Sequence, residues 1–231
     1  MVNLCLDLSA GNHIALLGDG FVEERLPQKG DVKSDDCLKV VDEFLGKHGL
    51  KIGDVDVITV CVGPGSFTGL RVGVTLAKGL SAVNPIKIAA VDGFALLRGT
   101  AAPVSKTDRN VYIINGFGDF YYVQFRGESK CVATAEVINL INKAKQNGGR
   151  VVTSELVMRK LGLEDAVIAT PQLLNVAREL ENGGNFVDPD ALEPLYLRAS
   201  QAEIEREKKL KGNKMVSLYS LGLPRRWRSS Q

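Results

Sequence analysis

The residues with the most chemical promise form a glycine-rich run, Gly63-Pro64-Gly65-Ser66-Phe67-Thr68-Gly69-Leu70-Arg71-Val72-Gly73. A carboxylate, Asp7, stands far upstream with Ser9 two residues on. Glycine-rich turns that open a helix present unbonded backbone N–H groups, and these attract anions. Three specific patterns nevertheless fail on spacing. A phosphate loop needs Lys after its last glycine, and Leu70 follows Gly69. The dinucleotide fingerprint allows two residues between its second and third glycines, whereas Ser66, Phe67 and Thr68 separate Gly65 from Gly69. No nucleophile elbow can be drawn around Ser66. What stands is a tight strand-to-helix turn. In one reading Asp7, Ser9, Gly63, Gly65, Ser66, Thr68 and Arg71 line an anion or nucleotide cleft, with ATP or ADP as occupant. In the other the glycines serve backbone conformation and close packing alone, and Asp7 is a turn-former.

Metal chemistry finds little support. Only His13 and His48 are present, without paired spacing, and Cys5, Cys37, Cys61 and Cys131 lie far apart. No metal site and no intrinsic cofactor are expected. The cysteines sit in mostly apolar surroundings, which reads as reduced core thiols in a cytoplasmic protein.

These residues must be held by strands and helices. Residues 2–8, 14–17 and 21–26 read as three short strands broken by Gly11-Asn12 and Gly18-Asp19-Gly20. Ser34 or Asp35 can cap a helix to about His48, in which Leu38, Val41, Phe44, Leu45 and His48 recur at helical spacing. Residues 55–62 form a continuous apolar, β-branched run, as in a strand covered on both faces. After the glycine-rich loop comes a helix over 69–83, then a strand over 86–91 and a helix capped by Asp92. In the helix over 69–83, Gly69, Gly73 and Ala77 make a small-residue stripe. Leu70, Val74, Leu76 and Leu80 are apolar around it, leaving Arg71, Thr75 and Lys78 as a narrow polar strip. Such a helix must be covered on more than one side, by its own sheet and by further structure or a partner. The pattern describes an α/β lobe with a mixed sheet. A lobe boundary falls in residues 99–110. Beyond it, strands are expected at 111–115, 119–125, 150–154 and 166–169, with helices at 134–146 and 171–181. No internal repeat is visible.

The chain has 231 residues, 29 basic and 27 acidic. Its composition and a mean hydropathy near zero are ordinary for a globular protein. No apolar run approaches a membrane span, and no signal peptide is visible. The net charge of +2 hides an asymmetry. Residues 208–231 carry Lys208, Lys209, Lys211, Lys214, Arg225, Arg226 and Arg228 and no acid, which leaves 22 basic against 27 acidic residues before them. Such a tail is either a solvated terminus or an arm for nucleic acid or an acidic partner.

Three stretches together resemble the bacterial TsaB (YeaZ) family, a glycoprotease-like branch of the actin–Hsp70–sugar-kinase superfamily. Leu4-Cys5-Leu6-Asp7-Leu8-Ser9 is similar to the family's opening L-A-I-D-T-S. Residues 63–73 match G-P-G-S-F-T-G-L-R-V-G, and Glu193-Pro194-Leu195-Tyr196-Leu197-Arg198 is similar to E-P-x-Y-L-R. The resemblance implies a two-lobed, ribonuclease-H-like fold with mixed sheets: a first lobe over 1–102, a second over 103–198, and a basic tail or helix over 199–231. It also implies a role in making N6-threonylcarbamoyladenosine at position 37 of tRNAs that read codons beginning with A. The chain would be a non-catalytic subunit that pairs with the metal-binding paralogue TsaD, joined by the small ATPase TsaE. Pairing would use the helix after the glycine loop and the helix before it, giving an interface of Leu38, Val41, Leu45, Gly69, Leu70, Gly73, Val74 and Ala77. A homodimer through the same face is an alternative. Two rival functions are an ATP-binding phosphotransferase or ATPase with Asp7 placing a magnesium–phosphate, and a glycoprotease-like peptidase. Two departures from the family pattern stand out. Lys33-Ser34-Asp35 replaces H-S-E, and Asn115-Gly116-Phe117-Gly118-Asp119-Phe120-Tyr121 lacks the Asp and Arg of D-A-R-x-G-E-V-Y.

Overall fold

A computed structural model describes residues 1–27, 35–99, 109–169, 172–183 and 186–199. The described residues build two five-stranded sheets. The first comprises β1 (Asn3–Asp7), β2 (His13–Gly18), β3 (Phe21–Arg25), β4 (Val57–Gly63) and β5 (Lys87–Asp92), in the order β3-β2-β1-β4-β5. β1, β2 and β3 pair antiparallel, while β4 and β5 add in parallel after crossovers through helices. Side-chain alternation assigns the two faces. Leu4, Leu6, Ile14, Leu16, Ile58 and Val60 pack beneath α1 (Asp35–Lys47) and α2 (Phe67–Val83). Cys5, Ala15, Leu17 and Cys61 point the other way, toward α3 (Gly93–Arg98) and α6 (Leu173–Gly183).

The second sheet holds β6 (Val111–Asn115), β7 (Phe120–Phe125), β8 (Glu128–Ala133), β9 (Val151–Thr153) and β10 (Val167–Ile168), in the order β10-β9-β6-β7-β8. Three antiparallel strands followed by two parallel ones repeat the first sheet's plan. Strand pairing carries this repeat without any similarity of letters, which is why the sequence hides it. One face is covered by α4 (Thr134–Gln146) and α5 (Glu155–Leu161). Against the other face, Phe94 and Leu97 of α3 pack on Tyr112, Val152 and Ala169, so α3 is the layer between the lobes.

The observed elements depart from expectation at several points. β8 is an addition, although Arg126-Gly127 supplies a hairpin turn with positive φ at both residues. α5 is a second addition, with Ser154 accepting from the Val157 N–H as its cap. α2 starts two residues earlier than expected because Ser66 accepts from the Gly69 N–H and caps it. The expected cap on Asp92 is present, its carboxylate accepting from Ala95 N–H at 2.8 Å. Ser34, Pro171, residues 100–108 of the boundary segment and the whole basic tail lie outside the described residues. α6 packs on the first sheet through Leu173, Val176 and Ala177. Val187 bridges Ile88, and Leu192 joins the core under α1 and α2. The first lobe is therefore completed by chain from beyond the second.

Candidate functional site

Between the lobes lies a cleft of about 590 Å3. Its floor on the first-lobe side is the turn after β1. Asp7 is buried, and its Oδ1 accepts from the Ser9 N–H at 3.0 Å in a side-chain-closed turn. Ser9 in turn uses its carbonyl to accept from the Ser66 N–H at 2.7 Å, clamping the glycine loop onto the β1–β2 turn. The loop lies so close that a Cβ on Gly69 would overlap the Leu8 carbonyl oxygen, and Gly63 holds φ at +113°.

The same loop and α2 also grip residues 192–196. Leu195 N–H donates to the Val62 carbonyl at 2.7 Å. Arg71 Nε donates to the Tyr196 hydroxyl at 3.1 Å, and the guanidinium lies 4.0 Å from the centre of the Phe67 ring. That ring stacks on Tyr196 with centroids 4.7 Å apart. Lys78 donates to the Leu192 carbonyl at 3.1 Å. The glycine-rich stretch and Glu193-Pro194-Leu195-Tyr196-Leu197-Arg198 are thus one contact seen twice in the sequence.

Of the residues expected in the cleft, Asp7, Ser9, Gly65, Ser66 and Thr68 line it. Gly63 and Arg71 do not: Gly63 faces Leu70 and Leu195, and Arg71 is held by Phe67 and Tyr196. Asn12, Tyr122 and Arg198, which sequence reasoning does not place in the cleft, also line it. Asn12 reads in sequence as a turn residue. Tyr122 comes from the second sheet and Arg198 from the segment after α6, and only folding brings them here. The rim adds Phe117 and Leu156, both exposed and apolar.

The chemistry on offer is limited. Burial, reinforced by the charge of Asp7, pushes the Cys61 thiol well up, and burial also raises Cys131 and the Tyr122 hydroxyl. High thiol pKa values disfavour the thiolate that a cysteine nucleophile needs. Both histidines are engaged with carboxylates of β3: His13 Nε2 lies 2.9 Å from Glu24 and His48 Nε2 3.2 Å from Glu23. Neither lines the cleft. Ser66 has its hydroxyl turned to its own helix, away from any imidazole. Among the described residues no group of three His, Cys, Asp or Glu could hold a metal.

The expected partner face needs correction. Val41, Leu45, Leu70, Gly73, Val74 and Ala77 are buried in the chain's own core, and Gly69 is pressed against Leu8. The small-residue stripe marks where α2 approaches its own sheet: a Cβ on Gly73 would meet Leu8 and Val60 at 3.7 Å. Leu38 alone of that set is exposed, at 56%.

A family model described as TsaD, tRNA N6-adenosine threonylcarbamoyltransferase, matches residues 33–128. A curated relative from Haemophilus influenzae, "tRNA threonylcarbamoyladenosine biosynthesis protein TsaB", is 30% identical over 186 residues, spanning 70% of this chain and 78% of that protein. The chain belongs to the TsaB family. The Escherichia coli TsaB protein is 24% identical over 211 residues, covering 82% of this chain and 90% of that one. The fold agrees with the solved structure of YeaZ from Pseudomonas aeruginosa, at a TM-score of 0.62 and 19% identity, over 85% of this chain and 99% of that chain.

Proposed function

We propose that this chain is a non-catalytic subunit of the machinery that installs N6-threonylcarbamoyladenosine on tRNA, acting by pairing with a TsaD-like partner. Family membership supports the pathway, and one flank of α2 supports the mode of action. Val72 and Leu76, half-buried against the first-lobe core, continue into Gly79 and Val83 at spacings of four, three and four, the rhythm of a helix–helix seam. Val83 is 76% exposed, and a Cβ built on Gly79 would meet nothing within 4 Å. Leu38 of α1 adds an exposed apolar residue on the same face of the first sheet. This seam is rotated from Gly69, Gly73 and Ala77 by about a quarter of a helical turn. It takes the place of those residues as the partner surface.

The cleft chemistry supports a non-catalytic role. The Ser66 N–H is spent on Ser9, and the glycine loop is filled by Leu8 and Ser9 where a phosphate-cradling loop would stay open. In this reading a first lobe of residues 1–102, completed by α6 and residues 186–192, carries the partner face. The second lobe begins at 103, and residues 199–231 form a basic arm toward tRNA. A TsaE-like ATPase joins the pair, and the setting is cytoplasmic; among the described residues no helix is long and apolar enough to cross a membrane. The test mixes the purified chain with the TsaD-like protein of the same genome in analytical ultracentrifugation. A one-to-one heterodimer is expected. Sedimentation as two independent species would refute the proposal, and self-association that excludes the TsaD-like protein would leave a homodimer instead.

A further inference from the structure

We propose that the β6–β7 turn is a stacking platform for an unpaired base of single-stranded RNA. Phe117 stands at the tip of this turn, 71% exposed, with Gly116 and Gly118 on either side. Both glycines are required by the backbone: a Cβ on Gly116 would overlap the Phe120 carbonyl oxygen, and Gly118 holds φ at +61°. The turn is pinned at three points. Gly116 N–H donates to the Phe120 carbonyl at 3.1 Å, and Phe120 N–H to the Phe117 carbonyl at 3.2 Å. Lys160 Nζ, from α5, donates to Asn115 Oδ1 at 2.9 Å. A large aromatic ring is thus displayed to solvent on a turn closed by its own hydrogen bonds, so a ligand that stacks on it orders little further backbone.

The charges around the ring select the partner. Lys160 is exposed, and its ammonium bonds only the neutral Asn115 amide. Arg198 lines the same cleft as Phe117, with its guanidinium 4.5 Å from the centre of the Phe120 ring. Neither cation has an ion pair among the described residues. The nearby acids do not offset them: Glu155 pairs with Arg159, and the charge of Asp119 acts on Tyr121, on the face covered by α4. An exposed ring accompanied by two uncompensated cations suits a base with its flanking phosphates, because every base has a π-face and a single strand brings anionic charge. A protein partner fits less well. An aromatic ring covers about 150–250 Å2, and even with Leu156, 55% exposed on the same rim, the apolar surface falls short of the roughly 800 Å2 that a stable protein interface takes from each side. Asp7, buried at the cleft floor, keeps phosphates out at this rim. The choice of RNA rests on the tRNA-directed reading above.

Fluorescence titration of the full chain with a stem–loop RNA carrying 2-aminopurine in its loop tests this, because stacking on an aromatic ring quenches that base. Saturable quenching is expected. Phe117→Trp should retain it, and Phe117→Ala should weaken binding roughly 5- to 150-fold, the worth of one base–aromatic stack. Lys160→Gln and Arg198→Gln should each lower the log–log salt slope by about 0.7, as for one single-strand phosphate. The same sequence closed into a full duplex should compete poorly, since its bases are already stacked. Phe117 is exposed, so the Phe117→Ala chain should melt as the unaltered one does. Absence of quenching, undiminished binding by Phe117→Ala, or equal competition by the duplex would overturn the proposal. So would a Phe117→Ala chain that loses the TsaD-like partner in ultracentrifugation, which would make the turn a protein contact. The titration uses this chain without a partner, whereas pairing at α2 is read by ultracentrifugation, so failure of one reading is distinguishable from failure of the other.

Discussion

Two glycines on α2, six residues apart, should respond in opposite ways to the same replacement. Gly79 points outward with nothing within 4 Å of an added Cβ, whereas Gly73 faces Leu8 and Val60. Replacing Gly by Leu in a helix gains about 0.7–1 kcal/mol of intrinsic propensity. For Gly79→Leu nothing opposes that gain in the isolated chain, so its Tm should rise by about 2–3 °C in a protein of this size. At the partner seam the same side chain overpacks, at a cost of about 1–3 kcal/mol, and association should weaken roughly 5- to 150-fold. At Gly73 a Cβ alone sits at ordinary contact distance, but the rest of a leucine must displace Leu8 and Val60, both buried. Overpacking there offsets the propensity gain and exceeds it by up to about 2 kcal/mol, a Tm lower by up to roughly 4–8 °C. Thermal melts beside ultracentrifugation with the TsaD-like partner read both effects. A Gly79→Leu chain that pairs with unaltered affinity would refute the assignment of the seam. So would a Gly73→Leu chain that melts normally and fails to pair.

Gly69→Ala should be among the most damaging single changes, because its Cβ would overlap the Leu8 carbonyl oxygen; a loss of about 3 kcal/mol or more is expected in chemical denaturation. Tyr196→Ala removes the ring stacked on Phe67 and the acceptor of Arg71, and its melt should fall clearly further than that of Tyr196→Phe, which keeps the ring. The Lys47 ammonium, and then His48, hold the Glu23 carboxyl below its ordinary value against the opposing effect of burial. A carboxyl depressed in the folded state adds stability above its unfolded pKa of about 4.5, and that stability is lost as pH falls through the lower folded value. Glu23→Gln should therefore flatten the acid limb of stability against pH, with little change in its shape near neutrality. Removing residues 208–231 should reduce the salt dependence of tRNA binding by the assembled complex, by about 0.9 in log–log slope for each duplex phosphate that the segment neutralises and about 0.7 for single strands. An unchanged slope would make that segment a solvated end.

Much of the first lobe is legible in the sequence because its strands alternate cleanly and its caps are local. Leu4 and Leu6 point one way and Cys5 the other, and Asp92 announces α3 through one side-chain hydrogen bond. The direction in which α2 faces is not legible. Apolar residues surround it, so periodicity cannot separate the face toward the sheet from the face toward a partner. The stripe of Gly69, Gly73 and Ala77 signals close backbone approach without saying to what, and it is to Leu8 on the helix's own sheet. The cleft is half legible: Asp7 and the glycine loop are sequence motifs, but Asn12, Tyr122 and Arg198 reach it from separate elements. Arg71, which in sequence resembles an anion ligand, is claimed by Phe67 and by Tyr196, 125 residues away.

The most direct test of the central claim is the N6-threonylcarbamoyladenosine content of total tRNA, measured by mass spectrometry of digested nucleosides after depletion of this protein in its own cells. A subunit of the threonylcarbamoyl-transfer machinery predicts that the modified nucleoside falls while other tRNA modifications hold. Resupply of the unaltered chain should restore it, and resupply of the folded Gly79→Leu chain should not. An undiminished level after depletion would contradict the account.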